Sequence, residues 1–305
     1  AVVSGAFFGD KMSPLSDTTG IAAATVGIDL FEHIKNMAYT TVPALLLTAA
    51  FLVWVVPPVG HGSLNGVAEL SRQLQESGLV HAYALIPFAL LVALALFKVN
   101  AILTMLAVIA VSIGITFFHT DLNMAQLGGW LFAGYKPEHA GEGIVKLVSR
   151  GGLESMFFTQ TVVMLALSLG GLLFALGIVP ALLDTMRRFL TGAGRATFSV
   201  ALTSVGVNVL IGEQYLSILL AGETFKPVYE KLGLHPRNLA RTLEDAGTVI
   251  NPLVPWSVCG VFIAKVLGVS VIAYLPYAFF CYLCLLLTLL SGFTGLTISQ
   301  TDKAA

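Results

Sequence analysis

Gly9-Asp10-Lys11-Met12-Ser13-Pro14-Leu15-Ser16-Asp17-Thr18-Thr19 puts two carboxylates, one ammonium and four hydroxyls into a chain otherwise built for lipid. An ionised side chain near the bilayer centre costs about 2.5–3.5 kcal/mol on the milder insertion scale, so a cluster of this kind marks a functional site. The lipid solvent follows from composition. Hydrophobic residues make up 56% of the chain and charged residues 11%, with a mean hydropathy of +0.87. A soluble surface needs about twice that charge.

Outward from the motif, apolar runs long enough to span a bilayer recur at 38–56, 82–97, 99–118, 159–183, 196–222 and 269–292. Residues 82–118 as one helix would extend about 55 Å, so they are divided into two spans that turn at Lys98-Val99-Asn100. The net charge of −1 provides no basic field for nucleic acid, which is excluded as a partner. Cys259, Cys281 and Cys284 lie in apolar sequence and read as packing residues rather than redox or metal ligands. The six histidines, His33, His61, His81, His119, His139 and His235, have no metal-ligand spacing. For His33, pH sensing stands beside a surface or interface role.

Gly247-Thr248-Val249-Ile250-Asn251-Pro252-Leu253-Val254-Pro255-Trp256-Ser257 echoes the opening motif without a gap. Gly9, Pro14 and Leu15 align with Gly247, Pro252 and Leu253, while Ser13 faces Asn251 and Thr19 faces Ser257. Each polar, proline-bearing break sits between short apolar arms, so residues 1–28 and 245–268 are predicted to be re-entrant helical hairpins whose tips face protein or water. Five intervening spans, an odd number, would place the tips on opposite faces of the membrane as inverted repeats. The expected fold is thus an all-α polytopic membrane protein: an inverted-repeat transporter in one domain over 1–305, with two re-entrant hairpins and broken transmembrane helices. Arg187, Arg188 and Arg195 mark a cytoplasmic loop, although Lys226, Lys231, Arg237 and Arg241 crowd the next one. Residues 225–243 read as interfacial helices broken at Pro236, and Trp130, Phe132 and Tyr135 as anchors of another interfacial segment.

Broken helices free carbonyl oxygens, and hard cations take oxygen ligands. Ser13, Ser16, Thr18 and Thr19 offer neutral oxygens, and Asp17 offers a charge that binds a monovalent cation or a proton in turn. Helix capping is the plain alternative for Asp17 and Asp10. Lys11 pairs with Asp10 or Asp17, occupies the cation position when the site is empty, or snorkels to the interface. In the second half, Asn208, Glu213, Asp245, Thr248, Asn251 and Ser257 are the matching candidates. Glu213 breaks an apolar span, whereas Glu244 neutralises Arg241 at the membrane surface; Trp256 closes the site or packs. A hydrolase reading would need Ser16 or Ser257 as nucleophile, and no base other than Lys11 is nearby in sequence.

Ser4-Gly5-Ala6 with Phe8 to Thr19, Glu244 to Thr248 with Pro252 to Ser257, and Asn208 with Gly212-Glu213-Gln214-Tyr215 together resemble the signature of NhaC-type sodium/proton antiporters. The resemblance reaches from the first residues to about Gly292. It implies membership of the wider ion-transporter superfamily, paired hairpins at a central site, a homodimer, elevator-like movement, and Na+ and H+ as cargo with no cofactor. The implied setting is a bacterial or archaeal cytoplasmic membrane, with a Na+ site near Asp17. Family members are longer at the N-terminus, so the first repeat is expected to lack scaffold helices here. The family also includes exchangers of organic acids and amino acids coupled to sodium and protons.

Overall fold

A computed structural model describes residues 1–55, 62–76, 80–120, 122–137, 144–145, 149, 151–187 and 192–301. His61, His139 and Arg188 lie outside the described residues. The chain divides into two compact units, Ala1–Val55 with Val162–Ala305, and Val56–Thr161. Among the described residues the secondary structure is helical apart from an isolated bridge between Leu234 and Gln300.

The smaller unit contains α4 (Gly62–Glu76), α5 (Ile86–Leu96), α6 (Ala101–His119), α7 (Met124–Ala133) and the start of α8 (Leu153–Ala175). Lys98 adopts φ +59° between α5 and α6, and Asn100 caps α6 by accepting from the Ile102 amide at 2.9 Å. The expected turn at 98–100 is therefore present. His81 and His119 stack on the two sides of Tyr83, with centroids 4.8 and 3.9 Å away. A capping box of Asn123 and Gln126 opens α7, and Trp130 meets Tyr135 edge to face.

The larger unit begins with α1 (Val2–Met12) and α2 (Asp17–Val26), followed by α3 (Leu30–Val55). Pro14 supplies no amide hydrogen, and Ser16 caps a new helix, so the chain breaks at 13–16. The two arms touch each other and both pack on α3. Helix α1 packs on α3 and on α15 (Phe279–Thr294), whereas α2 packs on α11 (Gln214–Lys231) and α12 (Pro236–Leu243). Phe51 meets Phe279 at 3.8 Å between ring centroids, and Phe8 meets Phe280 at 6.0 Å.

A further fold-back lies later in the chain. The predicted span 196–222 is two helices, α10 (Ala193–Ile211) and α11, joined at Gly212-Glu213. They run antiparallel, with Thr197 bonded to Tyr229 at 3.3 Å near the open end and Ser217 donating to the Ser204 carbonyl at 2.8 Å near the turn. Gly212, at φ +78°, makes the reversal that a side chain resists. The odd count of spans between the motifs consequently loses its premise. Arg195, Lys226 and Lys231 fall at one end of this hairpin rather than opposing each other.

Residues 225–243 are not interfacial. Phe225 and Tyr229 lie in the core on α11, which continues through Pro227, and α12 buries Asn238, Leu239, Ala240, Arg241, Thr242 and Leu243. From α12 the chain passes through a π-turn (Glu244–Thr248) and a 3₁₀ turn (Asn251–Leu253). It breaks at 254–257 and enters α13 (Val258–Leu267) at a 48° bend. A second bent pair joins α14 (Val271–Tyr274) and its following turn to α15 at 55°. Among the described residues, helices α3, α6, α8 and α10 are each long and apolar enough to cross a bilayer, and the two bent pairs bring the number to as many as six. The protein is an all-helical, polytopic membrane protein.

Candidate cation site at two helix breaks

The turn of the α10–α11 hairpin is pinned to the break at 254–257. The Val258 amide donates to the Gly212 carbonyl at 2.9 Å, and the Trp256 indole donates to the Val209 carbonyl at 2.8 Å. Trp256 is otherwise exposed, so its role is to brace the turn. Asn251 donates to Asn208 Oδ1 at 2.7 Å and accepts from the Cys259 amide at 3.1 Å. Asn208 in turn donates to the Gly247 carbonyl at 2.6 Å. Ser257 Oγ donates to the Asn251 carbonyl at 2.6 Å and accepts from the Gly260 amide at 2.9 Å. Asn208, Asn251 and Ser257 thus hold the second break to the hairpin, each with its polar atoms occupied by protein.

The first break approaches the same turn from the other side. Asp17, exposed at the start of α2, accepts from the Tyr215 hydroxyl through Oδ2 and from the Thr18 amide at 2.8 Å through Oδ1. Ser16 Oγ bonds Thr18 Oγ1 at 3.0 Å and accepts from the Thr19 amide at 3.5 Å. Thr19 Oγ1 reaches back to the Lys11 carbonyl at 3.3 Å, and Ser13 Oγ accepts from the Leu15 amide at 3.1 Å. Glu213 is buried and caps α11, accepting from the Leu216 amide at 2.9 Å. Asp10, Asp17 and Glu213 all act electrostatically on Cys259, which hydrogen-bonds Gln214 at 3.5 Å. The first break and the hairpin turn therefore bring three carboxylates within electrostatic reach of the start of α13.

Behind this group lies a closed polar layer. Lys11 is fully buried and forms an ion pair with the equally buried Asp245, not with Asp10 or Asp17 as expected. Thr40 of α3 donates to the other Asp245 oxygen at 2.9 Å and lies 3.5 Å from the Lys11 ammonium. Both Asp245 oxygens are thus engaged by protein. Glu244 does not neutralise Arg241 at a surface. It is fully buried, while Arg241 bonds the Thr297 carbonyl at 3.3 Å, the Thr297 hydroxyl at 3.1 Å and Ser291 at 3.2 Å. His33 is also fully buried, which removes the surface reading. Thr248 lies buried on the π-turn.

Tyr215 borders the site, and Thr40 and Glu244 lie in the polar layer behind it, although sequence alone assigned the first two no role and the third a surface role. Adjacent Glu244 and Asp245 at the edge of the uncharged stretch 246–264 were the available signal. Among the described residues, no three His, Cys, Asp or Glu side chains converge as ligands of a resident metal. Neither Ser16 nor Ser257 hydrogen-bonds a histidine or lysine, so both hydroxyls act as helix caps rather than as activated nucleophiles.

Known proteins carry similar sequences. A Na+/H+ antiporter family model matches residues 5–296. The Na+/H+ antiporter NhaC of Alkalihalophilus pseudofirmus is 40% identical over 306 residues, covering 100% of this chain and 66% of that protein. NhaC of Bacillus subtilis is 39% identical over 92% of this chain and 62% of its own length. The malate-2H+/Na+-lactate antiporter of Bacillus subtilis is 32% identical over 99% of this chain and 65% of its own. No solved structure matches. The chain spans 62–66% of these relatives' lengths, and by the extent of the family match it belongs to the Na+/H+ antiporter family.

Proposed function

We propose that the protein exchanges Na+ for H+ by alternating access across the bacterial or archaeal cytoplasmic membrane. The reading rests on one observation above all: Asp17 of the first break is hydrogen-bonded to Tyr215, two residues after Glu213 at the hairpin turn, with Asp10 on the helix before the break. Carboxylates beside freed helix-end carbonyls and the hydroxyls of Ser13, Ser16 and Thr18 suit a hard monovalent cation. Na+ is cargo there and not a resident cofactor. The antiporter relatives at 39–40% identity support the same assignment. In this reading α10–α11 is a re-entrant hairpin, and 1–26 and 236–267 are corresponding broken helices of two inverted repeats. The end bearing Arg195, Lys226 and Lys231 faces the cytoplasm. The functional unit is a homodimer.

The test uses everted membrane vesicles that carry the protein. Added Na+ is expected to dissipate a preset pH gradient, and Asp17→Asn is expected to abolish the response. Undiminished exchange by Asp17→Asn sinks the assignment of that residue. A second reading, Na+/H+-coupled exchange of an organic acid or amino acid, is favoured by the malate/lactate relative. Saturable, Na+-dependent uptake of labelled malate, lactate or arginine into the vesicles would decide for it.

A further inference from the structure

The π-turn holds a side chain that the cation site does not use. Glu244 is fully buried, and neither of its carboxyl oxygens has a hydrogen bond of normal geometry. Thr248, on the same turn, is buried and is the hydroxyl that faces it. π-turns are rare insertions that cost helix stability and collect at functional positions. A carboxyl group removed from water, facing one hydroxyl and no ion-pair partner, costs more as an ion than as a neutral acid.

The charges around Glu244 set what it can do. Asp10 and Lys11 face it from α1, and Asp245 adjoins it on the turn. Arg241 of α12, Cys284 of α15 and His33 of α3 complete the titratable groups of this layer, each acting on Asp245 or Lys11. The faces of α10 and α11 that pack on the turn present Asn208 and Ser217, which do not titrate. Lys11 pairs with Asp245, and Arg241 bonds the neutral oxygens of Thr297 and Ser291, so among the described residues an ionised Glu244 has no ion-pair partner.

Resting on the proposed exchange, we infer that Glu244 carries the transported proton, at a position separate from the cation held by Asp10, Asp17 and Glu213. A cation bound beside Asp10 adds positive potential at Glu244 and favours release of its proton to water on the side to which the site is open. A protonated Glu244 withdraws negative potential from the cation site and weakens cation binding. The two sites thereby exclude simultaneous occupancy without sharing a carboxylate, and by linkage each opposes the other equally.

The test compares two activities of the whole protein in proteoliposomes: exchange of radioactive Na+ for unlabelled Na+, which needs no proton turnover, and Na+-driven H+ movement read with a pH dye. Glu244→Gln imitates the neutral acid. It is expected to retain Na+/Na+ exchange, made independent of pH, and to lose H+ movement. Retained H+ movement, or loss of both activities, overturns the inference. Glu244→Asp, which keeps a carboxyl one methylene shorter, is expected to displace the pH profile of Na+/Na+ exchange; an undisplaced profile also overturns it, whether or not the Gln variant reaches the membrane. Absence of Na+-driven H+ movement in the unmodified protein would count instead against Na+/H+ exchange itself.

Discussion

Lys11 and Asp245, 234 positions apart, form a fully buried ion pair that ties the end of α1 to the π-turn after α12. Neither charge reaches water, so each is tolerable only because the other and Thr40 are present. The pair joins the two broken helices directly behind the carboxylates of the proposed cation site.

Breaking one side of this pair should cost about 3–5 kcal/mol, because the remaining charge stays buried without compensation. Lys11→Met and Asp245→Leu are each expected to lower the unfolding temperature in detergent. The double variant should recover most of the loss while remaining inactive. A double variant no more stable than either single one contradicts a compensated pair.

Asn251 makes a donor bond to Asn208 and an acceptor bond to the Cys259 amide. Asn251→Ala leaves the buried Asn208 oxygen and the part-buried Cys259 amide unsatisfied, at a cost of about 1–3 kcal/mol. Limited proteolysis should then cut near Gly212 faster than in the unmodified protein. An unchanged digestion pattern would mean that the network does not hold the turn.

Gly212→Ala and Gly20→Ala should act in opposite directions. At Gly212 a Cβ would lie 3.1 Å from the Trp256 carbonyl oxygen with φ at +78°, so strain of about 1–2 kcal/mol is expected. Gly20 lies within α2 and a Cβ there meets nothing within 4 Å, so alanine should stabilise by about 0.5–1 kcal/mol. Thermal unfolding of the two variants reads the sign directly.

The Tyr215 hydroxyl occupies an Asp17 oxygen that a cation would need. Removing this competing donor with Tyr215→Phe frees about 1 kcal/mol for the incoming ion. The half-saturating Na+ concentration should fall with little change in maximal rate. A rise would instead identify the tyrosine oxygen as a cation ligand.

The interruptions of the helices were legible because their causes are local. Pro14 and Ser16 break one helix and cap the next, Asn100 opens α6, and Ser257 caps α13. The reversal at Gly212 was signalled by the same polar Gly212-Glu213-Gln214 that interrupted the predicted span, yet length and hydropathy favoured one crossing helix. Composition cannot distinguish a bent helix from one that folds back. The two basic clusters then appeared to conflict, although a hairpin brings Arg195, Lys226 and Lys231 to one end.

From sequence alone came the helical class, the lipid solvent, the family resemblance and the two polar breaks, all of which depend on composition or on neighbours a few residues apart. Tertiary structure alone decided that Lys11 meets Asp245, that Asp17 is exposed against Tyr215, and that Glu244 is buried. The physical reason is the solvent. Lipid is as apolar as a protein core, so hydrophobic periodicity does not say which face of a helix turns inward. Only the packing of α1, α3, α12 and the π-turn removes particular charges from water and determines their partners.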